Sequence, residues 1–241
     1  SNITLGNILQ GTTTLFGTNS APTALRVIGN FDNIATTTFN PRVVSTPDNV
    51  NTVVDVIVQG KYAYTVGGTQ LRIFDVSNAS NPVSVGSVSI NPNPTTIAMS
   101  GRYAYVVGHH SLLQVVDVSN VAAPVVVSSY TGGLSSVYDI VTSGNYAYLA
   151  NTGGSNMKIL NISNPLAITE VGSVAVTLPY NIAVQGKYAY LSYGSSFYTV
   201  NISNPAASTL VTTSSILGAV GGYDKIAVSG SQNSCIDGGG E

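Results

Sequence analysis

The stretch GKYAYTVGGTQLRIFDVSNASNPVSVGSV, Gly60 to Val88, contains two phrases that return along the chain. Gly-x-Tyr-Ala-Tyr opens at Gly60, Gly101, Gly144 and Gly186, at intervals of 41, 43 and 42 residues. Asp-Val-Ser-Asn opens at Asp75 and Asp117, and is replaced by Asn-Ile-Ser-Asn at Asn161 and Asn201. A fifth copy begins with KIAVSG, ends at Gly230, and reads as dissolving into SQNSCIDGGGE. Self-similarity near 42 residues is the period of a propeller blade of four antiparallel strands.

Each copy divides into four runs of β-formers separated by Gly, Asn, Ser and Pro. The first is VVDVIVQ (Val53–Gln59), the second YAYTVG and the third LRIFDVS; after an Asn-Pro or Ala-Pro step comes a fourth such as VSVGSVSI. Turn residues interrupt every eight to ten positions, which excludes helices. First strands that are apolar on both faces suit blades stacked around an axis better than a two-layer sandwich. The sequence therefore predicts an all-β propeller with four full blades and the start of a fifth. Blades begin near residues 53, 95, 138, 180 and 224, with a leader over 1–52, propeller repeats over 53–230 and a tail over 231–241.

Side chains alternate across a strand, so Tyr62 and Tyr64 share one face and Ala63 takes the other. The reading is inter-blade packing, a large face against a small one; the other reading is an aromatic platform for sugar rings. In the tetrapeptide, Asp, Asn and Ser accept hydrogen bonds from backbone groups two residues on. Exchange of Asp for Asn keeps that acceptor but removes the charge a cation needs. No cofactor is therefore expected, calcium being the alternative.

Composition narrows the partners. Among 241 residues, 44% are apolar and only 7% are charged, against about 25% charged in ordinary soluble domains. Thr, Ser, Asn, Gln and Gly must make the surface polar, a bias of extracellular and surface proteins. Net charge is −2 with eight scattered Lys and Arg, so no nucleic-acid partner is expected. No apolar run reaches the ~20 residues of a membrane-spanning helix, so no membrane insertion is expected. The single Cys235 has no partner for an internal disulfide and reads as an incidental thiol.

The repeat, with Tyr-Ala-Tyr, an apolar strand ending in Asp-Val-Ser-Asn, then Asn-Pro and VSVGS, resembles the LVIVD-repeat family over about residues 53–230. That family occurs in bacterial and archaeal surface or secreted proteins. The resemblance implies the propeller fold and no particular activity, because the repeat carries no catalytic motif. Residues 9–38 resemble trimeric bacterial and phage fibre segments through Gly17, Thr18, Pro22, Leu25, Val27, Gly29 and Asn30. That second resemblance implies a fibre-like leader and a homotrimer formed through it; a linker is the alternative.

Two sets of positions are candidates for function. Five residues before each repeat glycine stand Asp55, Thr96, Asp139, Asn181 and Lys225, where inner strands ring a central channel. They either bind a cation, water or polar ligand there, or hydrogen-bond backbone at the start of each blade. The variable turns between second and third strands supply Gln70, His109, His110 and Asn156 as candidate ligand-binding residues. The adjacent His109 and His110 read as a surface turn, with a metal or acid–base role as the alternative. Closure is open between two forms: FNPRVVST (Phe39–Thr46) completing a fifth blade, or an arc within a longer array.

The expected function is a non-enzymatic, extracellular or cell-surface binding or scaffolding module for a protein or glycan ligand. Two alternatives stand beside it. One is a carbohydrate-active or lactonase-like propeller enzyme in which Asp55 and Asp139 converge at the channel mouth. The other is a structural fibre domain without a ligand.

Overall fold

The computed structural model describes residues 53–215 except 92 and 110, together with the strands at 225–229 and 232–236. The leader over 1–52, with its fibre reading, the FNPRVVST segment and His110 lie outside the described residues.

Blade one is a sheet of β1 (Asp55–Gln59), β2 (Tyr62–Gly67), β3 (Gln70–Asp75) and β4 (Val83–Ser89). Blade two holds β5 (Pro94–Ser100), β6 (Tyr103–Gly108), β7 (Leu113–Asp117) and β8 (Val125–Tyr130). Blade three holds β9 (Val137–Ser143), β10 (Tyr146–Asn151), β11 (Asn156–Asn161) and β12 (Thr169–Ala175). Blade four holds β13 (Asn181–Gln185), β14 (Tyr188–Tyr193), β15 (Ser196–Asn201) and β16 (Thr209–Ser215). All pairings are antiparallel, and the inner strands β1, β5, β9 and β13 neighbour one another in turn. This is a β-propeller. Among the described residues no helix is long and apolar enough to cross a membrane.

The fifth repeat is longer than the sequence reading allows. β17 (Lys225–Ser229) packs beside β13 and pairs with β18 (Gln232–Ile236), inside the stretch assigned to a tail. The second strand lacks the Tyr-Ala-Tyr phrase that marks the others. Gln-Asn-Ser-Cys-Ile pairs through its backbone all the same, with Cys235 opposite Ile226.

The repeat glycine is explained by the first turn of each blade. Gln59 pairs with Tyr62, leaving a two-residue hairpin loop of Gly60 and Lys61. Gly60 sits at φ 61°, and Gly101, Gly144 and Gly186 at 58°, 57° and 58°. A positive φ at the first loop position matches the twist of the flanking strands and is open to glycine without strain.

The Tyr-Ala-Tyr phrase builds the walls between blades. Tyr64, Val66, Leu71 and Ile73 of blade one form a single core with Ile97, Ala104, Val106 and Val116 of blade two. Tyr105 and Leu113 pack likewise on Ile140, Ala147 and Leu160 of blade three. Tyr148 and Ile159 pack on Ile182, Ala189 and Val200 of blade four. The large face of one blade thus covers the alanine face of the next. Interdigitated large and small side chains leave few voids, which is why both faces of the middle blades are apolar. On the far face of blade one, Val56 and Val58 are 53% and 61% exposed, whereas Ile97, at the position of Val56 in blade two, is 4% exposed.

The outer strands share a further device. Pairing of the third with the fourth strand slips at Ile73/Phe74, Val115/Val116, Ile159/Leu160 and Thr199/Val200, so all four blades share a bulge at this pairing. Beside three of these bulges the next blade comes very close. A Cβ on Gly86 would collide with the Val121 carbonyl, and one on Gly172 with the Pro205 carbonyl. At the equivalent place in blade two the Ser128 hydroxyl donates to the Pro165 carbonyl at 2.5 Å. The bulge bends the outer strand over the turn of the following blade.

Candidate functional site

The Asp-Val-Ser-Asn tetrapeptide forms two successive turns closed by side chains. Asp75, Asp117, Asn161 and Asn201 each accept from the backbone N–H of the serine two residues on, at 2.9, 2.9, 2.9 and 3.0 Å. Asn78, Asn120, Asn164 and Asn204 repeat the bond onto the residue two further along, at 3.0–3.3 Å. Where the acid is present a cation joins it: Lys61 lies 2.9 Å from Asp75 and Arg102 3.3 Å from Asp117. The Ser77 hydroxyl and N–H, then Lys61, hold the Asp75 carboxyl down at about 2. Lys61, Arg102 and Lys187 also lie over the rings of Tyr62, Tyr103 and Tyr188. An open cleft of about 400 Å³ at this end is lined by Gln59, Tyr62, Tyr64 and Arg102 among others.

The channel positions bridge blades. One Asp55 oxygen accepts from the Ile97 N–H of blade two at 2.9 Å, the other from its own neighbour Val56 at 2.9 Å. Asp139 does the same two blades on, accepting from Ile182 at 3.1 Å and Ile140 at 3.1 Å, with the Thr96 hydroxyl at 3.3 Å. Thr96 and Asn181 are buried. Next to them Thr95 donates to the Val137 carbonyl at 2.5 Å, and Thr142 to the Met99 carbonyl at 2.6 Å. These side chains therefore supply strand ends with partners that a neighbouring blade would otherwise leave unmet. Of Lys225 only the backbone pairing with Ile236 is described. Among the described residues no group of three or more His, Cys, Asp or Glu could hold a metal ion.

Of the candidate loop residues, Gln70, His109 and Asn156 lie where inner strands begin. The Gln70 amide oxygen accepts from Arg72 at 2.8 Å. The Asn156 amide oxygen accepts from Asn151 at 2.8 Å. Fully buried Asn151 also accepts from the Ser135 N–H at 2.6 Å and donates to the Gly133 carbonyl at 3.2 Å. The Thr152 hydroxyl donates to the Pro179 carbonyl of the segment leading into blade four. The turn at 152–156 is thus pinned on both sides. His109 is exposed, and its N–H reaches the Asn93 carbonyl at 3.3 Å.

His109 also belongs to a constellation that the repeat pattern conceals. Its ring meets Tyr138 edge-on at 4.9 Å, Tyr138 meets Tyr180 at 4.3 Å, and Tyr180 stacks on Tyr193 at 5.2 Å with 12° between planes. Four rings from blades two, three and four form one continuous row at the strand-start end. Tyr193 is 38% exposed, and Tyr138 and Tyr180 are half-buried. The backbone keeps Tyr180 beside Tyr193: its N–H reaches the Ser192 carbonyl at 2.9 Å, and Asn181 pairs with Ser192. Tyr138 and Tyr180 stand where Val54 and Thr95 stand in the first two copies. Tyr193 stands where Gly67, Gly108 and Asn151 stand. That disagreement among copies was the available signal.

The LVIVD repeat is matched four times, over residues 52–90, 94–132, 135–176 and 180–214. No curated protein matches the chain. Among solved structures, a protein of unknown function from Desulfotomaculum acetoxidans is similar with TM-score 0.62 and 19% identity, covering 69% of this chain and 57% of its own. A Lactobacillus plantarum protein matches with TM-score 0.61 and 13% identity, covering 70% and 57%. A periplasmic gluconolactonase of Pseudomonas aeruginosa matches with TM-score 0.61 and 14% identity, covering 76% and 62%. The chain thus spans between 57% and 62% of the length of these three structures, and at such identities the likeness concerns the fold alone. With four matched repeats over more than half its length and the blade geometry above, the chain belongs to the LVIVD-repeat family of β-propellers.

Proposed function

We propose that this chain is a non-enzymatic binding module of an extracellular or cell-surface protein, with the strand-start end as its binding face. The observation that carries this reading is the row from His109 to Tyr193, partly exposed rings in contact across three blades. It lies where the copies differ, on a frame whose other phrases repeat. Asp55 and Asp139, on the inner strands of blades one and three, are engaged with backbone N–H groups of adjacent blades, an arrangement that supports a structural role for them. The ligand on this reading is a protein or a glycan. Three copies held together through residues 1–52 would present three such faces.

Surface plasmon resonance of the intact chain against immobilised glycoproteins and polysaccharides tests the reading, with Tyr180→Ala as the control for the face. Saturable binding weakened by Tyr180→Ala supports it. Turnover of lactones or glycosides that vanishes in Asp55→Asn and Asp139→Asn overturns it in favour of an enzyme. Sedimentation of the same sample reports whether three chains associate.

A further inference from the structure

The far face of blade one is covered on one half and bare on the other. Val58, Ala63 and Phe74 lie opposite one another across the first three strands, on the same face as Val56. Phe74 is 3% exposed and Ala63 is buried, whereas Val56 and Val58 on the first strand are exposed. In blade two the counterparts Ile97, Ala104 and Val116 share one core with Tyr64 and Val85 of blade one. Ala63 and Phe74 belong to none of the cores shared between described blades. Cover over the third strand and none over the first is the pattern left by the fourth strand of a neighbouring blade without that blade's tyrosine-bearing strand. Residues 1–52 contain no tyrosine.

The sequence ahead of β1 carries a fourth-strand phrase. Pro41-Arg-Val-Val-Ser-Thr repeats the order of Pro124-Val-Val-Val-Ser-Ser, which opens the fourth strand of blade two. Pro41 stands 14 residues before Asp55, as Pro82 stands 14 before Thr96. That register gives Ser45 the place held by Gly86, Ser128 and Gly172. At each of those places the fourth strand meets a carbonyl of the next blade, that of Val121, Pro165 or Pro205. Each carbonyl belongs to the residue four positions after the start of the Asp-Val-Ser-Asn or Asn-Ile-Ser-Asn phrase, and in blade one that residue is Ala79. Ala79 is engaged in a polar interaction, which an alanine makes only through its main chain. We propose that Ser45 and Thr46 lie in the fourth strand of a blade stacked on blade one, and that the Ser45 hydroxyl donates to the Ala79 carbonyl as Ser128 does to Pro165. The occupant of this surface is the same chain and not a second copy, because the link to the first strand is long enough. Ten residues separate Ser45 from Asp55, and ten separate Gly86 from Thr96 across the step between blades one and two.

Cross-linking of the intact chain tests the proposal. In a Cys235→Ser background, Ser45→Cys with Ala79→Cys should form a disulfide within one chain on mild oxidation, to the extent that Ser128→Cys with Pro165→Cys does. Non-reducing electrophoresis and peptide mass mapping read the link. Without the cysteines, Ser45→Ala and Ser128→Ala should each lower the melting temperature by about 2–4 °C, the contribution of one hydrogen bond in a chain of this size. Ser45→Phe should lower it further, because the carbonyl opposite leaves no room for a ring. Three results overturn the proposal. One is a link between positions 128 and 165 with none between 45 and 79. Another is a link between 45 and 79 found only between two chains, which would make a second copy the occupant. The third is a melting temperature unchanged by Ser45→Ala where Ser128→Ala lowers it.

Discussion

Asp55 and Ile97 stand one blade apart, and the carboxylate of the first accepts the backbone N–H of the second at 2.9 Å. Asp139 and Ile182 repeat the bond at 3.1 Å. The inner ends of blades one and two, and of three and four, are stapled in this way.

The two staples differ in how much depends on them. Asp139 serves Ile140, Ile182 and Thr96, whereas Asp55 serves Val56 and Ile97. An unmet donor costs about 1–3 kcal/mol when buried. Asp139→Ala should therefore lower unfolding stability by about 3 kcal/mol, more than Asp55→Ala, while Asp139→Asn, which keeps one acceptor, should lose about 1 kcal/mol. Urea unfolding of the three variants checks the order. Equal effects for the two alanine variants would show that the additional Thr96 bond contributes nothing.

Acid sensitivity should map to the Asp-containing turns. The Asp75 carboxyl, held at about 2 by Ser77 and Lys61 against an ordinary 3.8, adds stability above pH 3.8 that is lost as pH falls through 2. Asp117 is lowered in the same direction by the Ser119 N–H and hydroxyl, and by Arg102. The turns at Asn161 and Asn201 are closed identically without charge. Asp75→Asn should change the neutral-pH melting temperature little and flatten the decline between pH 4 and pH 2. Melting curves across that range decide it; an undiminished decline in the double variant with Asp117→Asn would contradict it.

At the alkaline end the sign reverses. Burial, then neighbouring Tyr103, pushes the Tyr105 hydroxyl up to about 12. Burial, then the Glu170 charge, does the same for Tyr130. The folded chain keeps these protons when the unfolded chain, with ordinary values of 10.0, has lost them. Stability should hold to pH 10 and fall between pH 10 and pH 12. Tyr105→Phe should shift the fall in melting temperature upward. An identical alkaline profile in that variant would exclude Tyr105 as a cause.

The close approach between outer strand and following turn is testable by one methyl group. Gly172→Ala and Gly86→Ala each place Cβ against backbone carbonyl of the next blade, which cannot swing aside. Each should destabilise by roughly 1–3 kcal/mol, the range of overpacking. Thr212 holds the same register in blade four, opposite Thr199, and is exposed. Thr212→Ala should be close to neutral.

Local chemistry made the frame legible. Gly60 needs a positive φ, Asp75 and Asn161 share an acceptor, and Tyr64 alternates with Ala63, each within a few residues. Repetition then turned these into a blade and a family. The turns predicted from the exchange of Asp for Asn are present in all four copies. The second strand of the fifth repeat escaped notice because Gln232–Ile236 pairs through backbone and carries no repeat phrase. The aromatic row escaped for a different reason. Tyr138 and Tyr180 are 42 residues apart, each inside a run that reads as ordinary strand.

The residue pattern was enough to specify the blade: its period, its four strands, its turns and the two unlike faces that stack. Those depend on backbone preferences and side-chain alternation, which act between near neighbours. The stacking of blade on blade gave the variable residues their partners. It gave the Asp55 and Asp139 carboxylates to the N–H groups of the next blade, and brought His109, Tyr138, Tyr180 and Tyr193 into contact. Both outcomes depend on how one blade sits against another, a geometry set by packing of tyrosine faces on alanine faces that no single repeat contains.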